Sequence, residues 1–94
     1  MLWFEDGKFA HFDPVAKATY YRDEQGVMAF GAKLREVRLK KGYSQERLAN
    51  EAGLPPSQIS RIETGVINTS LSHICLIARI LKVKPRDLMD FELS

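Results

Sequence analysis

Residues 57–64 combine short hydroxyls, an amide and a guanidinium, which are groups that can bind the edges of nucleic-acid bases. An arginine such as Arg61 can make two hydrogen bonds to guanine, and a glutamine such as Gln58 can do the same to adenine. Ile59 and Ile62 are three residues apart and therefore share one face of a helix. The polar side chains should point away from that face, forming either a base-reading surface or an ordinary solvent-exposed one. These outward residues are Ser57, Gln58, Ser60, Arg61 and Thr64.

Other reactive side chains form no recognisable catalytic or metal site. The serines have no histidine at the spacing of a catalytic triad, and the carboxylates form no paired constellation. Cys75 is the only cysteine and lies among apolar residues, a setting typical of inert packing. His11 and His73 are far apart in the sequence and have no further ligands beside them. The sequence therefore predicts no enzyme, no metal and no cofactor.

Length and composition restrict the class of protein. Of 94 residues, 45% are hydrophobic and 28% are charged, which predicts one globular domain and excludes wholesale disorder. The apolar stretch 74–81 is interrupted by Arg79 and is too short to span a bilayer. The first residues lack the basic and apolar regions of a signal peptide. We therefore expect a cytoplasmic protein with no membrane partner.

The charge is distributed unevenly along the chain. Residues 1–29 carry three Lys or Arg and five acids, a balance of −2, whereas residues 30–94 carry eleven and seven, a balance of +4. A basic segment of this size is compatible with a polyanionic partner, although solvated helical surfaces often carry as much charge.

The apolar spacing becomes helical from about Met28 and predicts five short helices, an all-α domain. Turn and cap residues separate them: Gly42, Ser44, Gly53, Pro55, Pro56, Gly65, Ser70 and Pro85. The predicted core residues include Phe30, Leu34, Val37, Leu48, Ala49, Ala52, Ile59, Ile62, Leu71, Ile74, Ile77, Ala78, Leu81 and Leu88.

Two of these helices meet at the tight turn Ala52-Gly53-Leu54, and an ordered set of residues surrounds that turn. The set comprises Gly31, Leu34, Arg35, Arg38, Gly42, Tyr43, Ser44, Gln45, Leu48, Ala49, Gly53, Leu54, the run Ser57 to Gly65, Asn68, Leu71, Ala78, Leu81 and Leu88. At this spacing, residues 31–90 resemble the lambda-repressor-like, or Xre-type, helix-turn-helix family. The resemblance implies a five-helix domain that binds double-stranded DNA with the second helix of the motif in the major groove.

The resemblance also implies roles for individual residues. It places Pro56, Ser57 and Arg61 close to bases, and the outward-facing Gln58 and Ser60 complete the predicted base-reading residues. The resemblance assigns a contact with the DNA backbone to Gln45, and Thr64, Asn68, Lys40 and Lys41 are predicted as additional phosphate contacts. Gln45 also lies in the first turn of a helix, where unpaired N–H groups and the helix dipole favour an anion. Arg38 and Glu63 match positions that form a structural ion pair in the family, which makes Arg38 part of the scaffold.

Three residues at two places in the sequence depart from the family pattern. Arg47 stands three residues after the Ser44 cap, where an acid would complete a capping box. Pro55 and Pro56 replace a polar pair at the start of the recognition helix. Because proline has no N–H to donate, base contact there would be apolar, for example with a thymine methyl group.

The first 29 residues have no counterpart in the minimal family domain and are predicted to form an N-terminal arm ahead of a domain at 30–94. Six of the nine aromatic residues lie in this arm. Residues 2–12 could form a β-hairpin around Asp6-Gly7, and residues 13–26 could be either a helix ending near Gly26 or a strand. An aromatic arm of this kind packs on another surface, which could belong to a protein partner.

The fourth helix carries a second apolar stripe, formed by Leu76 and Ile80 on the side opposite its core face. Phe91 could join the same surface or close the core. The stripe would be covered by a twin subunit or by the N-terminal arm. We expect a homodimer, because one short recognition helix reads few base pairs and two-fold symmetry doubles the site.

The sequence therefore favours a sequence-specific transcriptional regulator that binds a palindromic operator as a homodimer. Half-sites would lie about one helical turn apart, ~10–10.5 bp. A general repressor, a restriction–modification controller and the antitoxin of a toxin–antitoxin pair all fit this description. The alternative is a protein-interaction module that keeps the fold without specific DNA binding.

Overall fold

The computed structural model describes residues 21–94, which form five α-helices and no strand. The helices are α1 (Glu24–Lys40), α2 (Gln45–Ala52), α3 (Pro56–Glu63), α4 (Leu71–Leu81) and α5 (Pro85–Leu88). The all-helical fold predicted from the sequence is thereby confirmed over this range. None of these helices is long and apolar enough to cross a membrane. The predicted hairpin at 2–12 lies outside the described residues.

One hydrophobic core joins the five helices. α3 packs against α1 and α2, α4 packs against α2 and α5, and α5 returns to α1. Every helix contributes at least one fully buried side chain: Leu34, Leu48, Ile59, Ile62, Ile77, Leu81 and Leu88. Because α1 and α2 cover only one side of α3, the opposite side of α3 is left open to the outside.

The first helix begins earlier than the sequence pattern predicted. It starts at Glu24 rather than near Met28. The separate helix or strand predicted at 13–26 lies largely outside the described residues, and its last residues, 24–26, belong to α1. The reason for the early start is the cap residue Asp23, whose carboxylate accepts a hydrogen bond from the backbone N–H of Gly26 at 2.9 Å. Glu24 adds negative charge to the first turn, where the helix dipole favours it. α1 therefore runs through residues 29 and 30, where the sequence placed the start of the domain.

Close backbone packing fixes α1 on α3. A Cβ atom built on Gly31 would collide with the backbone carbonyl groups of Ile62 and Glu63. Glycine thus allows the two helix backbones to approach at the point where α1 passes the end of α3.

The core face of α4 is shorter than predicted. Ser70 caps the helix by accepting a hydrogen bond from the His73 N–H at 3.1 Å. Ile77 is fully buried, but Leu71, which the pattern assigned to the core, is 73% exposed. Leu71 is the first residue of α4 and lies ahead of the turns that pack against the rest of the domain, so its placement in the core was wrong.

Candidate nucleic-acid interface

A tight turn connects α2 to α3. Gly53 ends α2 with a left-handed backbone (φ 72°), a conformation that glycine adopts without steric strain. The N–H groups of Gly53 and Leu54 donate hydrogen bonds to the carbonyl oxygens of Asn50 and Ala49, at 3.3 and 2.9 Å. These bonds close the end of α2 and direct the chain into α3, which gives the helix-turn-helix arrangement.

The apolar side of α3 is anchored, and its polar side is open. Ile59 and Ile62 are completely buried against α1 and α2. On the other side, Pro56, Ser57 and Arg61 are exposed, while Gln58 and Ser60 are half-buried. All five predicted base-reading residues thus belong to this one short helix, and no side chain caps its N-terminus. Small polar groups and one guanidinium are therefore presented from a rigid support.

A buried ion pair fixes the far end of α3. The Arg38 Nε and Nη2 atoms donate to the two carboxylate oxygens of Glu63, at 2.5 and 3.0 Å. The third nitrogen, Nη1, donates to the Tyr43 carbonyl oxygen at 2.7 Å. The guanidinium is therefore fully engaged inside the protein, so Arg38 connects α1, α3 and the segment that leads into α2.

Gln45 lies at the first position of α2 and belongs to the same network. Its side-chain nitrogen donates to Glu63 Oε1 at 2.9 Å. Sequence reasoning assigned Gln45 to a phosphate and missed this intramolecular partner. Because a side-chain amide carries two N–H hydrogens, the bond to Glu63 leaves one hydrogen for a ligand and holds the amide in place.

The remaining predicted phosphate contacts differ in what they can offer. Lys40 and Lys41 are exposed at the C-terminal end of α1, immediately before the segment that enters α2. Asn68 is exposed in the connection between α3 and α4. The Thr64 hydroxyl donates to the Ser60 carbonyl oxygen at 3.0 Å, so in this conformation its single hydrogen is not available to a phosphate oxygen.

Arg47 is supported by two neighbours that the sequence analysis did not identify. Its guanidinium lies 3.9 Å from the centre of the Tyr43 ring and 3.1 Å from a Glu51 carboxylate oxygen. The backbone N–H of Arg47 donates to the Ser44 hydroxyl at 2.9 Å, so the serine cap forms without an acid at this position. The spacing of four residues from Arg47 to Glu51 within α2 was the available signal for the second of these neighbours.

The second apolar stripe of α4 is partly covered within the chain itself. Ile80 and Phe91 are half-buried and pack against the hydrophobic core, whereas Leu76 is half-buried and does not belong to that cluster. Within residues 21–94 there is no group of three or more His, Cys, Asp or Glu side chains that could hold a metal ion.

Comparison with known proteins agrees with this architecture. Residues 34–88 match the helix-turn-helix family. The control protein C.BamHI of Bacillus amyloliquefaciens is 48% identical over 65 residues, which cover 68% of this chain and 80% of that protein.

Two solved structures superpose on the same region. The restriction-modification controller protein C.AhdI from Aeromonas hydrophila has a TM-score of 0.64 at 44% identity, over 66% of this chain and 94% of that one. The biofilm master regulator SinR in complex with DNA has a TM-score of 0.61 at 32% identity, over 65% of this chain and 98% of that one. The chain is therefore a member of the Xre-type, lambda-repressor-like helix-turn-helix family of DNA-binding transcriptional regulators.

Proposed function

We propose that this chain is a sequence-specific regulator that binds a palindromic operator as a homodimer and controls a restriction–modification system. The observation that carries the proposal is the open polar face of α3, held rigid by Ile59 and Ile62 on one side and by the Arg38–Glu63 pair at its end. A base-reading helix needs such support, because misplacement of its side chains would break the paired hydrogen bonds that distinguish bases.

Arg61 is the central base-reading residue of this proposal. It is exposed on α3 and lies in the last turn of the helix, and no hydrogen bond or ion pair holds its guanidinium within residues 21–94. A free guanidinium can bind guanine O6 and N7 together. Ser57, Gln58 and Ser60 add hydroxyl and amide contacts, and Pro56 offers an apolar surface to a thymine methyl group.

Contacts to the DNA backbone come from the corner where α1 ends and α2 begins. Lys40 and Lys41 supply positive charge there, and Gln45 supplies an amide fixed by Glu63. These contacts set the position of α3 in the groove without selecting a sequence. Asn68 joins them from the other side of α3. Thr64 would contribute only after its hydroxyl leaves the Ser60 carbonyl.

Dimerisation is proposed through the outer face of α4. Leu76 is the member of the predicted stripe that the hydrophobic core does not include, and Ile80 lies one turn further along the same face. Two-fold symmetry then places two α3 helices on successive turns of the same side of the DNA, ~34–36 Å apart. Ile80 and Phe91 would support this contact from within each subunit rather than form it alone.

The biological setting rests on two of the similar proteins described above. C.BamHI, which is 48% identical, is named a control protein, and C.AhdI, which is 44% identical, is named a restriction-modification controller protein. General repressors and antitoxins remain less well supported. In this setting the protein acts in the cytoplasm, where it has access to DNA, and it has no catalytic role of its own.

The experiment is selection of bound sequences from a random duplex library at about 150 mM salt, where nonspecific backbone binding is weak. We expect enrichment of an inverted repeat with half-sites one turn apart. The Arg61→Ala variant should lose enrichment at specific positions within each half-site. If the unmodified protein enriches no sequence, the proposal fails, and an interaction module becomes the better description.

A further inference from the structure

A hydrophobic groove of about 390 Å³ lies between the start of α1, the connection from α3 to α4 and the residues that follow α5. Val27, Phe30, Ile74 and Phe91 form much of its apolar lining. The side chains of Met89 and Leu93, which also line it, are 48% and 54% exposed. An apolar concavity of this size is in the range that binds ligands or side chains of a partner.

The groove belongs mainly to the parts of the chain that flank the family match at 34–88. Its walls come from residues 21–30 on one side and residues 89–93 on the other, with residues 67–74 between them. The groove is therefore built largely by the segments that flank the family match.

Specific polar contacts hold the two flanking segments in place. The side chain of Gln25 exchanges two hydrogen bonds with Ser94, at 2.6 and 3.0 Å. Arg22 donates to the Gly65 carbonyl oxygen at 2.9 Å, which ties the beginning of the described chain to the end of α3. These contacts form the groove in advance of any occupant.

The chain itself supplies a suitable occupant at the rim of the groove. Tyr21 lines the groove and is 78% exposed, and residues 1–20 join the domain directly at that point. The aromatic residues of this segment are Trp3, Phe4, Phe9, Phe12 and Tyr20. At up to ~3.3–3.6 Å per residue, twenty residues can reach any point of the groove. A tether of this kind also gives a local concentration in the mM range, which favours it over a separate partner.

Two polar groups at the groove are compatible with an aromatic occupant. Thr69 is one of the groove residues, and its buried side-chain oxygen has no hydrogen-bond partner within residues 21–94, so it keeps the capacity to accept from an indole or phenol donor. The Tyr21 hydroxyl lies 3.3 Å from an Asp23 carboxylate oxygen. The negative charge of Asp23 raises the pKa of the Tyr21 phenol.

We propose that residues 1–20, the aromatic segment, dock by their aromatic side chains into this groove of their own chain. The docked segment covers Met89 and Leu93 and extends the hydrophobic core beyond the groove. It thereby stabilises the flanking segments that the shared helix-turn-helix domain does not include.

Methyl NMR on the full chain tests the proposal. The groove methyl groups of Ile74, Met89 and Leu93 are compared between the natural sequence and a variant whose aromatic segment carries only serines at its aromatic positions. The changes are Trp3→Ser, Phe4→Ser, Phe9→Ser, Phe12→Ser and Tyr20→Ser. Because aromatic rings shift the resonances of nearby methyl groups, the groove methyls should move by several linewidths. The Leu39 methyls, on a side chain that is also 54% exposed but outside the groove, should not move. Unchanged groove methyls would overturn the proposal.

The reciprocal variants test the groove side. Leu93→Asp should release the segment and shift the Trp3 indole resonance, whereas Leu39→Asp should leave it in place. A sample mixing isotope-labelled and unlabelled chains distinguishes the occupant. Contacts between the aromatic protons and groove methyls should arise only within one chain. Contacts between labelled and unlabelled chains would overturn the intramolecular form and assign the groove to a second copy.

Discussion

The Arg38 guanidinium and the Glu63 carboxylate form a bidentate ion pair whose side chains are only 5% and 1% exposed. Glu63 is the last residue of α3, and its Oε1 atom accepts from both Arg38 and Gln45. The orientation of α3 is thus coupled to the corner of α1 and α2 that is proposed to bind the DNA backbone. A single carboxylate therefore connects the helix that is proposed to select bases to the residues that are proposed to set the position of that helix on the DNA.

Removing this carboxylate should destabilise the fold. Glu63→Ala leaves the buried charge of Arg38 without its partner, and breaking a pair of this kind costs about 3–5 kcal/mol. Thermal unfolding followed by circular dichroism should show a large fall in Tm. Glu51→Ala is the matched control, because it removes a carboxylate from the exposed pair with Arg47, which contributes about 1 kcal/mol or less. Equal melting temperatures for the two variants would contradict the structural role of Glu63.

Arg61→Ala should reduce the preference for the operator over random DNA by about 1–3 kcal/mol, because the lost hydrogen bonds are specific to one base. Binding to random duplexes should change little. Titration of both DNAs at one salt concentration measures the difference. Arg86→Ala removes an equal charge from α5, which packs against α1 and α4, and should leave the preference intact. Equal losses on operator and random DNA for Arg61→Ala would rule out base reading.

Lys40→Ala and Lys41→Ala should each weaken binding to all duplexes alike. Each lysine that neutralises a phosphate releases about one counterion. Each variant should therefore reduce the magnitude of the slope of log K against log salt concentration by about one. Gln45→Ala should also weaken binding to all sequences, but as a neutral change it should leave the salt dependence unchanged. Affinities at several salt concentrations separate the two kinds of contact. A Gln45→Ala protein with unaltered affinity would exclude a backbone role for that residue.

Leu76→Glu should dissociate the proposed dimer, because it places a charge in an apolar contact between two α4 helices. Sedimentation should then give the mass of a monomer, with the helical content unchanged. Leu39→Glu is the control, since Leu39 is an exposed leucine of α1 outside the α4 surface. If the Leu76→Glu protein still sediments as a dimer, the interface does not lie on this face of α4. Ile80 is a poorer site for this test, because it also packs on the core of its own chain.

The helix-turn-helix core was predictable from the sequence because local signals there agree with the tertiary packing. Gly53, Ile59 and Ile62 have the conformation or burial that their spacing indicates. Two features depend on information beyond periodicity. The early start of α1 follows from the side-chain cap of Asp23, which an apolar pattern does not register. The exposure of Leu71 follows from which turns of α4 meet other helices, which residue spacing along one helix cannot reveal.

The hydrogen-bond partner of Gln45 illustrates the same limit within the site. Gln45 and Glu63 are 18 residues apart and lie on different helices, so only the packing of α2 beside the end of α3 brings them together. The sequence identified both residues and the partner of Arg38 through family resemblance. It gave no indication that one carboxylate serves both donors.

Two glycines of α1 should respond oppositely to alanine. At Gly26 an added Cβ would lie at an ordinary 3.5 Å from Asp23, so Gly26→Ala should stabilise the helix by about 0.5–1 kcal/mol through reduced freedom of the unfolded chain. At Gly31 the same methyl group would meet the backbone of Ile62 and Glu63, which cannot move aside as a flexible side chain could. Gly31→Ala should therefore force α1 away from α3 and destabilise the fold by about 1–3 kcal/mol. Because both changes add one methyl group to one helix, helix propensity alone predicts equal gains. Urea unfolding of the two variants decides between propensity and packing, and a stabilised Gly31→Ala protein would show that α1 and α3 do not approach this closely.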